Sequence, residues 1–307
     1  MIGRVGRLGR SGQTLGPGEP AVLRFAAGLP GRVAYARTGS AVAFDEGGRP
    51  RVFAAGAATV TDRGLLIEAA AANAVAWSRP AGTGWSVVSA TLGEGGAWGD
   101  LTGRTIAATG ATWNRAELSA APIAVVSGQP LLISCCYRAG SSGRARVVLR
   151  DAVAVTESTV TGAAGSLAVA NQASGAVSSV ANVALGEGVF RVSFVFTPNT
   201  SNPRTVGVGP DSAVAGQAVE AFHIQAEAGT TPTSPILTVG ATATRGAPTI
   251  TTTVPAGKTA WRSIHFDGVE GAGGGLTPGA MFDIAAALTV VGRTGPGREL
   301  RRLEFLA

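Results

Sequence analysis

Five tryptophans, Trp77, Trp85, Trp98, Trp113 and Trp261, stand in a chain of 307 residues that is only 6% aromatic. An indole face can stack on the apolar C–H face of a pyranose while neighbouring planar polar groups bond its hydroxyls. Trp85 (GTGWS) and Trp98 (GGAWGD) lie among glycines, where a ring can stand exposed, and Trp113 precedes Asn114, Arg115 and Glu117, which can supply the polar partners. Trp85, Trp98, Trp113, Asn114 and Arg115 are therefore candidate carbohydrate-binding residues. His223 and Gln225 join them because alternation along a strand turns both away from Phe222 and Ile224. The alternative for each indole is a core or sheet-capping position.

Catalytic chemistry finds little to work with. The chain has no G-x-S-x-G elbow, and His265-Phe266-Asp267 is its one close His/Asp pair; on a strand the two would share a face and could bond, without a nucleophile. Gly257-Lys258-Thr259 imitates the end of a phosphate-binding loop, but Thr252 stands where the first glycine is required and Pro255 interrupts the loop. Glu94 with Asp100, beside Trp98, is the one carboxylate pair in a setting suited to glycoside hydrolysis, with two turn carboxylates as the alternative. Cys135 and Cys136 are adjacent, so on a strand they point to opposite faces; this excludes an ordinary disulfide framework and a zinc spacing, and predicts one core residue and one surface thiol. No catalytic residue, metal or cofactor is expected.

The elements that must position the candidates are strands. The chain carries 45 Gly and 16 Pro with only 14% charged residues, and it lacks a sustained 3.6-residue apolar stripe. In Val189–Phe196 the residues Phe190, Val192, Phe194 and Phe196 share one face and Arg191 and Ser193 the other. Leu131–Arg138 and Ala145–Asp151 alternate similarly and flank the turn Gly140–Gly143, which reads as a hairpin. Residues 153–185 are polar and of low complexity, a long loop or irregular edge strands. Thr277-Pro278 could start a helix over Ala280–Ala287, or the segment could be a strand with Phe282, Ile284 and Ala286 on one face. No internal repeat is apparent.

Net charge is +6, with Lys258 the one lysine, and the arginines are scattered instead of forming a run interleaved with aromatics. That pattern reads as a solvated surface and gives no expectation of nucleic acid. The exception is the glycine-rich start, where Arg4, Arg7 and Arg10 make a basic arm suited to docking. No apolar run is long enough to insert in a membrane, and no export signal is recognised, so the expected location is the cytoplasm.

Gly64-Leu65-Leu66-Ile67-Glu68 followed by Asn73 resembles the GLLIEEARTN signature that opens a jelly-roll module of phage tail-fibre and head-spike proteins, although Ala69–Ala72 replace its middle. In order after it, Leu132–Ala139, Gly188–Thr197 (GVFRVSFVFT, similar to GWYRVSVTFT), Phe222–Gly229 and Thr231–Arg245 resemble the later segments of the module, and Arg37–Phe53 its lead-in. The resemblance spans residues 37–245. It implies an all-β protein: an N-terminal attachment segment (1–64), an antiparallel two-sheet jelly-roll sandwich (65–240) and a small β-rich C-terminal extension (241–307). It also implies a non-enzymatic spike or fibre of a phage or gene-transfer-agent-like particle, displayed on the particle surface, that binds host capsular or other bacterial surface polysaccharide. A purely structural spike base or decoration protein without a glycan site is the alternative. The expected partners are other virion proteins, through the N-terminal segment, and further copies of the chain, as a trimer or alternatively a pentamer.

Overall fold

The structure is a computed structural model whose described residues are 21–81, 83–163 and 166–307. The basic arm with Arg4, Arg7 and Arg10, expected to dock on a particle, lies outside them.

Eight strands carry the sandwich: β1 (Leu101–Ala108), β2 (Arg115–Leu118), β3 (Leu131–Arg138), β4 (Arg144–Asp151), β5 (Glu157–Ala163), β6 (Val189–Pro198), β7 (Arg204–Pro210) and β8 (Ala218–Ala228). They pair as one long folded hairpin, β1 with β8, β2 with β7, β3 with β6 and β4 with β5, all antiparallel. Rolling that hairpin adds the pairs β3–β8 and β4–β7 and deals the strands into two sheets, β1-β8-β3-β6 and β2-β7-β4-β5. This is the jelly-roll order, and the expected all-β sandwich is what the chain forms. Ala90–Trp98 and Gly175–Gly186 extend the first sheet at its edges, and Trp85–Val88 and Ser166–Gln172 extend the second. The polar stretch at 153–185 is thus mostly edge strand and not a long loop.

Alternation decides which side chains meet between the sheets. Ile133, Cys135 and Tyr137 of β3, Val192, Phe194 and Phe196 of β6, and Val147 and Leu149 of β4 share the main core with Val206 and Val208 of β7. One register departs from simple alternation. A bulge in β8 sets Cys136 opposite His223 but Tyr137 opposite Ala221, so Phe222 is an extra residue. Phe222 therefore joins a separate outer cluster with Phe44, Trp98, Leu101, Cys136 and Val189, while Ile224 enters the main core; the expectation that the two share a face is corrected. The same cluster corrects the cysteines, because both are buried and neither is a surface thiol. Burial pushes the Cys136 thiol up to about 11 and the Cys135 thiol well above its usual value.

The segments before and after the sandwich share two sheets. Ala21–Arg24 and Ala260–His265 both pair with Leu300–Leu306, and Leu65 of the GLLIE motif pairs with Leu300. Ala34–Ala36 pairs with Thr249–Thr253, which pairs with Met281–Asp283. Too poor in large apolar residues to close a core alone, the N-terminal strands bury Leu23 and Phe25 with Trp261, Phe282 and Phe305 from the other end. After Met281–Asp283 the chain turns helical over Ile284–Val290, with Asp283 as the cap that accepts from Ala286 N at 2.9 Å. Both sequence alternatives for this stretch are thus partly realised, with the helix capped at Asp283, six residues after Thr277. Among the described residues no helix is long and apolar enough to cross a membrane.

A buried ion pair marks the junction of the two bodies. Glu68, just after the GLLI strand, lies 3.0 Å from Arg245, where the chain leaves the sandwich, and both are nearly inaccessible. Ser234 N also donates to Glu68 at 2.7 Å. Replacing Glu68 by Ala leaves the Arg245 cation buried without its counter-charge, so urea denaturation of E68A should show a loss of roughly 3–5 kcal/mol. The double variant E68L/R245M should recover most of it; a double variant as unstable as E68A would show that packing, not charge, carries the junction.

Candidate functional site

The two outer faces of the sandwich have different fates. On β1-β8-β3-β6 the segment Thr233–Thr238 crosses the outer side of β8. His223 Nε2 bonds Ile236 O at 3.1 Å, Gln225 accepts from Ile236 N at 2.7 Å, and Glu227 accepts from Thr233 N at 3.1 Å. His223 and Gln225, expected to face a ligand, are fully buried and stitch this segment to the sheet. Asn73 completes the seam by donating to Ile236 O and Ile224 O and accepting from Val75 N and Ala226 N.

Two of the three loop tryptophans are also corrected. Trp85 begins an edge strand, is 6% exposed, and donates from Nε1 to Trp77 O at 3.2 Å. Trp98 ends one, is 1% exposed, and packs between Phe44 at 5.7 Å and Phe222 at 5.4 Å between ring centroids. Glycine neighbours gave these indoles room to turn inward against partners remote in sequence. Trp113 differs, being 50% exposed with the Arg146 guanidinium 5.3 Å from its ring centroid.

Trp113 stands at the rim of the outer face of β2-β7-β4-β5, whose residues are mostly buried. The residues that alternate with the core residues on this sheet are Arg115 and Glu117 of β2, Thr205, Gly207 and Gly209 of β7, Arg146, Val148 and Arg150 of β4, and Glu157, Thr159 and Thr161 of β5. Arg115 lies across β7 because that strand offers glycines: a Cβ on Gly207 would come within 2.8 Å of Arg115 Cδ. From there it reaches Glu117 on its own strand and Glu157 at 3.1 Å on β5. Arg150 and the Thr205 hydroxyl donate to Glu117 at 3.4 and 2.9 Å. Burial works to raise the Glu117 carboxyl, but Arg115, Thr205 and Arg150 outweigh it and hold the group below its ordinary range. The result is a floor of planar, mutually paired side chains.

Arg146 ties this floor to the Trp113 loop by donating to Thr112 O at 2.8 Å and Asn114 O at 3.1 Å. Asn114, expected as a ligand contact, is buried and donates to Ala111 O and Ser212 O, so it shapes the loop that presents Trp113. Arg115 is likewise 4% exposed and acts as floor. Three buried polar atoms here have no partner: Arg146 Nε, Thr159 Oγ1 and Asn114 Oδ1. The site that emerges contains Trp113, Arg115 and Glu117 from the sequence, and adds Arg146, Arg150, Glu157, Thr159 and Thr161. Alternation could have marked Arg146 and Arg150 as sharing a face of β4, but which sheet face the closing segment crosses depends on residues remote in sequence.

The other chemical candidates do not assemble. His265 bonds Arg298 O at 2.8 Å and Ser263 Oγ at 2.9 Å, while Asp267 accepts from Val269 N at 3.0 Å. Glu94 pairs with Arg79 and Arg104, and Asp100 with Arg51. Among the described residues no group of three His, Cys, Asp or Glu side chains is placed to hold a metal.

No family model matches the chain, and no curated protein sequence does. Among solved structures the chain is similar in part to the CBM22-1 xylan-binding domain from Paenibacillus barcinonensis Xyn10C, at 10% identity and a TM-score of 0.34, over 52% of this chain and 94% of that one. It is also similar to the CBM22-1-GH10 modules of Clostridium thermocellum xylanase 10B complexed with xylohexaose, at 10% identity and a TM-score of 0.33, over 54% of this chain and 30% of that one. At these values the likeness carries no argument, and the sandwich rests on its own strand order.

Burial lowers the His223 imidazole to about 3, with Arg191 adding to the shift against the bond to Ile236 O. A base neutral when folded, with an unfolded value near 6.5, binds more protons in the unfolded state between those limits. Its contribution is therefore present above about pH 6.5 and lost as pH falls toward about 3, at roughly 1.4 kcal/mol per pH unit. Stability measured by denaturant across that window should fall less steeply in H223Q than in the parent; identical slopes would remove His223 as the cause.

Proposed function

We propose that the protein binds polysaccharide on the outer face of the β2-β7-β4-β5 sheet and does not turn it over. The observation that carries this reading is the half-exposed Trp113 braced by Arg146 at the rim of a flat polar floor. An open indole offers the stacking surface for a sugar ring, and the partly exposed Arg150 guanidinium and Glu157 carboxylate offer planar donors and acceptors beside the buried floor. Because Glu117 is locked by three donors, it is poorly placed to gain or lose a proton during a reaction, which favours binding over hydrolysis.

The setting comes from the resemblance of the GLLIE motif and the segments that follow it to phage fibre and head-spike modules. In that setting the protein is a spike or fibre on the surface of a phage or gene-transfer-agent-like particle, made in the cytoplasm and released with the particles. It binds host capsular or surface polysaccharide for adsorption, and residues 1–20 hold it to other virion proteins. Repeated copies convert weak single sugar contacts into avid attachment, which favours a trimer, with a pentamer fitting a capsid vertex. Light scattering should then give a mass three or five times that of the chain; a monomer at micromolar concentration would sink the oligomer.

Trp113 and Trp98 separate binding from stability. Trp113→Ala should weaken binding to encapsulated cells roughly tenfold or more with the melting temperature unchanged, because a half-exposed ring contributes little to the core. Trp98→Ala should cost roughly 3–5 kcal/mol of stability, with binding lost only in proportion to unfolding. Unaltered binding by W113A, or no saturable binding by the parent, leaves the purely structural spike base standing.

A further inference from the structure

On the opposite side from the Trp113 floor, a cavity of about 460 Å³ opens on the seam between the sandwich and the second body. It runs into a second hollow of about 610 Å³, the two sharing Thr231, Pro232 and the turn Thr294-Gly295-Pro296. Three arginines, Arg63, Arg191 and Arg298, line the smaller cavity, and no carboxylate does. Their side chains are held by neutral partners. Arg63 Nε donates to Asp45 O at 2.6 Å, with its guanidinium 4.9 Å from the Phe266 centroid. Arg298 Nη1 donates to Gly292 O at 3.0 Å, and Arg191 Nη2 to Ser134 Oγ at 2.8 Å. None of the three forms an ion pair among the described residues, whereas most arginines of this chain do.

Arg191 makes the imbalance costly. It is 7% exposed, its Nε has no partner, and the titratable groups around it are the buried thiols of Cys135 and Cys136 and the neutral imidazole of His223. Glu299 lies near Arg63, but burial raises its carboxyl, its Oε1 accepts from Gly297 N, and it does not line the cavity. A buried cation without a counter-ion is destabilising, and buried charges are normally paired. An anion entering from solvent would supply the counter-charge that these side chains lack among the described residues. Phe44, Leu185, Pro232 and Pro296 give the same cavity apolar walls, and Ser193 and Thr294 give it hydroxyls, so its lining suits a small organic ring better than a bare inorganic anion.

We propose that the seam cavity is a second binding site, selective for a carboxylate-bearing sugar, with Arg191, Arg63 and Arg298 holding the carboxylate and the apolar walls holding the ring. Guanidinium forks suit a carboxylate because they bond it in two places at once. This site is separate from the Trp113 floor and stands without it.

The test is calorimetric titration of the full chain with glucuronate, glucose and inorganic phosphate. Glucuronate should bind saturably and more weakly as salt rises, and glucose should not displace it. Arg298→Gln, at the exposed side of the cavity, and Arg63→Gln should each lower the affinity roughly tenfold. Arg191→Gln should abolish binding while the ligand-free protein melts at or above the parent temperature, because the substitution removes an uncompensated buried charge. Trp113→Ala should bind glucuronate as the parent does, which keeps this site distinguishable from the floor. Absence of saturable glucuronate binding, equal displacement by phosphate, or unchanged affinity in R63Q and R298Q overturns the proposal.

Discussion

The buried pair of Glu68 and Arg245 is the constraint on which the rest of the architecture depends. It joins the residue after the first GLLI strand to the residue at which the chain leaves the sandwich, so the two ends of the jelly roll are clamped at one point. The strands Ala71–Asn73 and Ala243–Arg245 pair directly beside it, and Ser234 binds both members. Because the chain enters and leaves together, the segments on either side are delivered to the same place. That proximity lets Leu65, from one side, pair with Leu300, from the other, and lets two sequences too weak in apolar residues to fold alone close a shared core.

Clamping the ends at that point also decides which face of the sandwich the closing segment covers. The closing segment from Thr233 to Thr238 must reach Arg245, and its path runs across β8, where Asn73, His223, Gln225 and Glu227 consume its polar backbone groups. The hairpin Ala41–Phe44 and Pro50–Phe53 then sets Phe44 on the apolar part of the same face. One sheet is thereby buried on both sides and reads as nearly continuous burial along β3 and β6. The other is also nearly continuously buried along β2, β5 and β7, but its outer face is made mostly of Arg, Glu and Thr residues.

The difference between what could be read and what could not follows the range of the interactions. Strict alternation in Val189–Phe196 is a local signal, and it placed Phe190, Val192, Phe194 and Phe196 toward the main core correctly. The same rule failed in β8, because the bulge at Phe222 depends on the register with β3 and leaves no mark of its own in the sequence. Trp85 and Trp98 were misread for a related reason. Glycine-rich flanks permit either an exposed ring or a tightly turned one; Phe44 and Phe222, from distant segments, draw Trp98 inward, and the main core takes Trp85. Trp113 was legible because the polar residues that follow it belong to the short strand it introduces. Arginines scattered through the strands looked like a solvated surface, yet Arg115, Arg204 and Arg245 are buried in pairs with Glu117, Asp151 and Glu68. Pairing over such sequence separations cannot be seen along the chain.

That bookkeeping of charge explains why the chain uses arginine almost throughout. A planar guanidinium can lie flat on a sheet, bond carboxylates on neighbouring strands and still cover apolar surface, as Arg115 does over Gly207 between Glu117 and Glu157. On the Trp113 floor such arrangements pair Arg115 and Arg150 with Glu117 and Glu157. At the seam the pairing is incomplete: Arg63, Arg191 and Arg298 converge without a carboxylate, and the field there remains positive. Both places use arginine, and what separates their charge is that no carboxylate lines the seam cavity beside its three guanidinium groups.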